Sequence, residues 1–174
     1  MADTIFSNKY ERREFDSTKF SSAQDIVGTD SLVIPASQTI PDATDEQVVL
    51  PTGTLPSGFG NVDAQGIVFI AVKGVYHFDS HVSWNMTGAT NGNRGSYWVI
   101  RNVATKKLGY TKCTAAGGGL GFNGVVSNSS FTMLLEAGDS AELYCYHSQG
   151  GPVDIYGSDT GGVDHTTVLI NKIG

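Results

Sequence analysis

The chain has 174 residues, of which 40% are hydrophobic, so it is long enough to fold as one domain around a substantial core. Its net charge of −6 argues against nucleic acid as the main partner, because phosphate binding needs a basic surface. No stretch reaches the roughly 18 apolar residues that a membrane-spanning helix needs, so no membrane insertion is expected.

The first part of the chain is rich in charge. The chain has 11 basic and 17 acidic residues, and ten of these 28 charged residues lie within residues 1–30. The aromatic residues of this segment follow no helical period. Such a segment cannot bury enough apolar surface to fold alone, so we predict an extended N-terminal attachment arm over residues 1–35. The side chains expected to anchor it on a partner are Phe6, Tyr10, Phe15 and Phe20. The alternative is a solvated tail with incidental aromatic residues. The pattern of a secretory signal is missing, so none is expected.

Beyond the arm, short runs of β-branched and aromatic residues alternate with Gly, Asn, Ser and Pro. The runs predicted as strands cover residues 32–34, 47–50, 66–72, 74–86, 95–102, 107–113, 124–135, 140–148, 153–156 and 163–173. No segment has a 3.6-residue apolar period, and a parallel sheet would need crossover helices. We therefore predict an all-β antiparallel sandwich or jelly roll over residues 36–174.

Alternation within the runs predicts which side chains face the core. In residues 74–86 the apolar set is Tyr76, Phe78, Val82 and Trp84, and the polar set is His77, Asp79, His81 and Ser83. In residues 140–148 the outward set includes Tyr144 and Tyr146, which are predicted to lie in a subunit interface because tyrosine is enriched there. Of the neighbours Tyr97 and Trp98, one faces the core and the other faces outward, and alternation leaves open which.

Three further patterns have simple interpretations. His77, Asp79 and His81 offer metal-ligand chemistry, but same-face neighbours on a strand lie roughly 6–7 Å apart, which favours a polar outer face. The glycine-rich segment 115–122 lacks the Gly-Lys-Ser/Thr of a phosphate-binding loop. Its central residues are predicted to form a contact loop at one tip of the domain: Gly117, Gly118 and Gly119. Cys113 and Cys145 are too few for a disulfide scaffold and lack metal-ligand spacing, so free thiols are expected.

Four segments resemble, in order, strands of C1q/TNF-like domains. They are residues 38–50 (QTIPDATDEQVVL), 74–84 (GVYHFDSHVSW), 135–143 (LEAGDSAEL) and 166–170 (TTVLI). The chain departs from the family pattern at Ala141, where valine is usual, and at Asp164 and His165, where the closing strand usually has an aromatic residue. The resemblance covers residues 36–174. It implies a C1q/TNF-like antiparallel jelly roll that packs as a homotrimer and binds partners without catalysis or a cofactor.

The same resemblance implies a function when it is combined with the arm. Bacteriophage virion proteins of this kind pair a short attachment arm with such a head. We therefore predict a virion structural protein assembled in the host cytoplasm, with a minor tail or tail-tip protein as the first assignment. A capsid decoration protein or head fibre is the alternative. The predicted partners are other copies of the chain, other virion proteins bound through the arm, and a host cell-surface glycan or protein. The alternative from another class is a free lectin-like ligand-binding module.

Overall fold

The computed structural model describes residues 26–85, 92–102, 108–116, 125–161 and 164–173, with the backbone alone at residues 26, 27, 108–116 and 125. These residues form strands, bends and turns without a helix. This part of the chain accordingly contains no helix that is long and apolar enough to cross a membrane.

Thirteen strands follow one another along the described residues. They are β1 (Ile26–Val33), β2 (Gln38–Ile40), β3 (Glu46–Gln47), β4 (Gly53–Thr54), β5 (Gly60–Val62), β6 (Val68–Ile70), β7 (Gly74–Trp84), β8 (Asn93–Arg101), β9 (Leu108–Ala116), β10 (Val125–Leu135), β11 (Ser140–His147), β12 (Val153–Ile155) and β13 (Thr167–Ile173).

The strands form two antiparallel sheets. In the first sheet β7 pairs with β10 along its whole length, from Gly74 opposite Leu135 to Trp84 opposite Val125. The other side of β7 pairs with β13 and, at Trp84, with β12; β1 and β2 lie outside these two strands. The second sheet has the order β4-β5-β6-β11-β8-β9, and β3 also pairs with β11. The architecture is therefore the predicted all-β antiparallel sandwich.

The core lies between the two sheets and is built around aromatic residues. The rings of Phe78 and Phe131 stack at 4.7 Å, and Trp98 meets Phe78 edge-on at 5.1 Å. The indole N–H of Trp98 donates to the Ser129 carbonyl (3.3 Å), and that of Trp84 donates to the Ser127 hydroxyl (3.0 Å). The predicted inward face of β7 is confirmed, because its four apolar residues are fully buried: Tyr76, Phe78, Val82 and Trp84.

The arm reaches the head earlier than the sequence suggested. Residues 26–33, within the predicted arm, form β1 and pair with β13. Asp30, which adds to the charge of the arm in the sequence, is buried and accepts hydrogen bonds from the backbone N–H (2.9 Å) and the hydroxyl of Ser57. The head therefore includes the residues from 26 onward, and residues 26–35 belong to it rather than to the arm. The role of residues 1–25 as an arm stays a prediction.

The two cysteines lie opposite the same residue of the second sheet. Cys145 is a free, buried thiol, as predicted, and its burial raises its pKa well above the ordinary value. The register sets Cys113 of β9 and Cys145 of β11 opposite Ser96, on either side of β8. Their Cα atoms are thus two strand spacings apart, roughly 9–10 Å, which is too far for a disulfide.

Gly66 is required by the turn between β5 and β6. Its φ is +83°, and a Cβ at this position would lie 2.5 Å from the Leu50 nitrogen. We expect Gly66→Ala to lower the free energy of unfolding by about 1–3 kcal/mol in urea denaturation, since alanine strains both the backbone and this contact. Gly151→Ala is the control, because a Cβ there meets no atom within 4 Å. An equal loss in the control would contradict this explanation.

Candidate functional site

The long strand β7 separates two ends of the sandwich that are roughly 33 Å apart. At one end, Val75 of β7 lies between Ile173 of β13 and Leu134 of β10, and Ile26 pairs with Ile173. We call this the arm end, since residues 1–25 precede Ile26. The other end, where Trp84 pairs with Val125, is called the loop end.

Apolar side chains are exposed at the arm end. Leu134 is 54% exposed and faces outward beside Val75 and Ile173, which are half-buried. Met133 is also exposed and points the opposite way from the same strand. Among the described strands β10 pairs only with β7, so its second edge is free. An apolar patch beside an unpaired strand edge is typical of a surface that another chain covers.

The rest of this outward face is polar. His77 Nδ1 lies 2.9 Å from the Thr132 hydroxyl, and the Thr29 hydroxyl donates to Asn171 Oδ1 (2.7 Å). Asp79 is exposed between the two histidines. The described residues contain no group of three or more His, Cys, Asp or Glu side chains arranged to hold a metal ion. Hydrogen bonds between neighbouring strands account for much of this polar surface.

The tyrosines predicted to lie in a subunit interface sit on the outward face of the second sheet. Tyr144 and Tyr146 are half-buried on β11, and the ring of Tyr144 stacks on Tyr97 at 5.5 Å. The Tyr144 hydroxyl donates to Glu142 Oε2 (3.0 Å), and Arg101 binds the same carboxylate with two nitrogens. Burial and the bond to Glu142 raise the pKa of Tyr144. Their place in a subunit interface stays a prediction.

The loop end gathers two segments that lie outside the described residues. Residues 86–91 lead from β7 to β8, and residues 117–124 lead from β9 to β10. Their flanking residues pair at this end, Asn93 with Ala116 and Trp84 with Val125. The predicted contact loop, which consists of Gly117, Gly118 and Gly119, belongs to the second segment. The strands that flank this segment, β9 and β10, meet it at this end. The four predicted arm anchors also lie outside the described residues: Phe6, Tyr10, Phe15 and Phe20.

The apolar patch of the arm end was not predicted from the sequence, although a signal for it exists. Met133, Leu134 and Leu135 are consecutive apolar residues in a strand. Successive side chains point to opposite faces, so at least one of them must face away from the core. Leu135 is fully buried and Leu134 is the outward residue.

Comparison with known proteins identifies the fold. The sequence matches no protein-family model and no curated protein. Murine APRIL at pH 5.0 superposes with a TM-score of 0.59 and 16% identity, over 84% of this chain and 100% of that one. Murine APRIL at pH 8.5 gives 0.56 and 17% over the same shares. Eiger TNF from S. frugiperda gives 0.56 and 10%, over 84% and 92%. These identities show fold and not function. The chain has a TNF-like jelly-roll fold.

Proposed function

We propose that the chain is a structural protein of a bacteriophage virion, with a homotrimeric TNF-like head that residues 1–25 hold on the particle. It acts by binding and has no catalytic role. The first assignment is a minor tail or tail-tip protein whose loop end contacts a host cell-surface glycan or protein. A capsid decoration protein or head fibre is the alternative placement. The protein assembles in the host cytoplasm.

The observation that carries the proposal is that the two ends of the head differ. The charged segment 1–25 enters the fold at the arm end, next to the exposed apolar patch of Val75, Leu134 and Ile173. Residues 86–91 and 117–124, the second of which contains the predicted contact loop, attach at the loop end, about one strand length away. An attachment segment and contact loops at opposite ends suit a module that is fixed at its base and binds at its tip.

A free lectin-like ligand-binding module is the second candidate, and one observation favours it. Tyr97, Tyr144 and Tyr146 lie half-buried on one outward face, where aromatic rings can stack on sugars. Trp84 and Trp98 are fully buried, so they do not contribute to such a platform. This candidate does not require the arm to bind a partner.

Deleting residues 1–25 tests the role of the arm. The deletion leaves β1 intact, so we expect a folded head with an unchanged circular dichroism spectrum. We expect it to be absent from purified particles, measured by immunoblot with an antibody against residues 36–174. A matched variant keeps every charge and replaces the four aromatic anchors by serine: Phe6, Tyr10, Phe15 and Phe20. It should also be absent from particles if these side chains bury against a partner.

Immunogold labelling of particles that carry the complete chain tests the placement. Label at the tail tip supports the first assignment, and label over the head supports a decoration protein. Full incorporation of the truncated chain would refute the role of the arm. Well-prepared particles without label would refute the virion proposal and favour the free binding module.

A further inference from the structure

Arg94 carries a charge inside the protein. It lies near the start of β8, on the face that points into the sandwich, and none of its surface is exposed. Its three guanidinium nitrogens have no hydrogen-bond partner among the residues that the structure describes. Burial lowers the pKa of Arg94, but a guanidinium stays protonated in proteins. A buried charge without an acceptor is strongly unfavourable, so this position calls for a negatively charged partner.

The neighbours of Arg94 on the same face supply further donors. Arg94 pairs with His147 of β11, and Ser96 follows two residues along β8. The Ser96 hydroxyl is buried and has no hydrogen-bond partner in the described part of the chain. His147 is fully buried, and its Nε2–H donates to the Ile40 carbonyl (2.8 Å). The guanidinium and the hydroxyl of Ser96 therefore remain as donors on one inward face.

Asp42 approaches this part of the core, but it does not pair with Arg94. One of its carboxylate oxygens accepts the backbone N–H of Gln149 (2.7 Å) and that of Gly150 (2.9 Å). The same oxygen lies 3.5 Å from His147 Nδ1. None of the ion pairs among the described residues involves Arg94. The charge of Asp42 is therefore directed to His147 and to the backbone.

The segments that follow β1 and lie outside the described part of the chain offer Arg94 no acidic side chain. Residues 86–91, 103–107, 117–124 and 162–163 contain no Asp or Glu. The five acidic residues outside the described part all precede β1: Asp3, Glu11, Glu14, Asp16 and Asp25. β1 begins at the arm end. Arg94 belongs to the loop end, because its partner His147 packs against Trp84 with ring centroids 5.9 Å apart. These two ends are roughly 33 Å apart.

We propose that Arg94 and Ser96 form a buried binding site for a small monovalent anion, a halide or a one-carbon carboxylate. A small anion supplies the charge that a water molecule lacks, and it accepts several hydrogen bonds from a guanidinium and a hydroxyl. A protein segment is a poorer occupant, because Arg94 has no exposed surface on which a segment would lie. The anion would balance the charge inside the loop end of the head, independently of where the head is attached.

The test uses bromide as the probe and the full chain as the protein. Crystals grown with sodium bromide are expected to show an anomalous peak within hydrogen-bonding distance of the Arg94 guanidinium. In solution, the melting temperature should rise with millimolar bromide and saturate, at an ionic strength held constant with gluconate. Arg94→Met should weaken bromide binding at least about tenfold. Lys73→Met is the matched control, since Lys73 is an exposed cation paired with Glu136, and it should keep the saturable rise.

Three outcomes would overturn the proposed anion site. Anomalous peaks at exposed residues without one at Arg94, or a peak in crystals with no saturable rise in solution, would refute it. A carboxylate of residues 1–25 seated on Arg94 would identify a different occupant. Formate that raises the melting temperature more than bromide would identify a carboxylate as the preferred form of the anion. If Arg94→Met fails to fold, the bromide map of the unaltered chain decides.

Discussion

Replacing Trp98 by alanine is expected to lower the free energy of unfolding by about 3–5 kcal/mol. Trp98 is fully buried at the centre of the sandwich, where its ring lies 5.1 Å from Phe78 and 5.9 Å from Phe131. The substitution leaves a cavity that these two rings cannot fill, because Phe78 and Phe131 are themselves stacked on each other. It also leaves the Ser129 carbonyl without the indole N–H donor. Urea denaturation measures the loss.

Tyr97→Ala is the matched control for this substitution. Tyr97 is the preceding residue of the same strand, but it is half-buried on the outward face and stacks on Tyr144. An aromatic pair of this kind contributes about 0.5–1.5 kcal/mol, so the expected loss is several times smaller. Comparable losses in the two variants would contradict the assignment of Trp98 to the core and Tyr97 to the surface.

This pair of residues shows how far the sequence predicts the fold. Alternation places Tyr97 and Trp98 on opposite faces, but both are large aromatic residues, so it does not say which one is inside. In β7 the inward residues other than Ser80 are apolar and most of the outward ones are polar, and the predicted inward set is confirmed. The buried face of a strand can thus be predicted where its two faces differ in polarity. Where both faces carry large aromatic residues, only the packing of the second sheet shows which face is buried.

The short elements that the sequence did not predict are strands only because they pair with other strands. β2, β4 and β5 are two or three residues long, and their glycines and polar residues resemble turns. β5 becomes a strand because it pairs with β6. Asp30 resembles the charged arm until the hydrogen bonds from Ser57 are seen. The sequence around Arg94 is likewise typical of a turn followed by an ordinary strand. Only the packing of the two sheets shows that its charge is buried.

The candidate site also has features that the sequence predicts and an arrangement that only the structure shows. The sequence indicates the arm, the glycine-rich loop and the outward tyrosines, because each is a local change in composition. It does not show that the arm end and the loop end lie at opposite ends of the head. That arrangement follows from the pairing of β1 with β13 and of β13 with β7, which joins Ile26, Ile173 and Val75 from three distant parts of the chain.

Leu134→Asp is expected to dissociate the proposed homotrimer. The unaltered chain should have a native mass of about 55 kDa, three times the 18.4 kDa of one chain, and the variant should run as a monomer. Leu134 is 54% exposed beside the free edge of β10, so the substitution should leave the fold intact. A subunit interface over this edge would bury three carboxylates without partners, each costing at least about 2 kcal/mol. Native mass spectrometry and light scattering measure the change.

Two further variants separate this surface from the tyrosine face. Thr132 lies on the same outward face of β10, two residues from Leu134 and within the polar area. Thr132→Asp should therefore perturb the trimer less than Leu134→Asp does. Tyr146→Asp places the same charge on the second sheet. If Tyr146→Asp yields monomers and Leu134→Asp does not, the interface lies at Tyr144 and Tyr146, as their outward position in the sequence pattern predicts. If the unaltered chain is a monomer at micromolar concentration, the exposed apolar patch must instead serve to dock the head on its particle, and the proposed trimer is wrong.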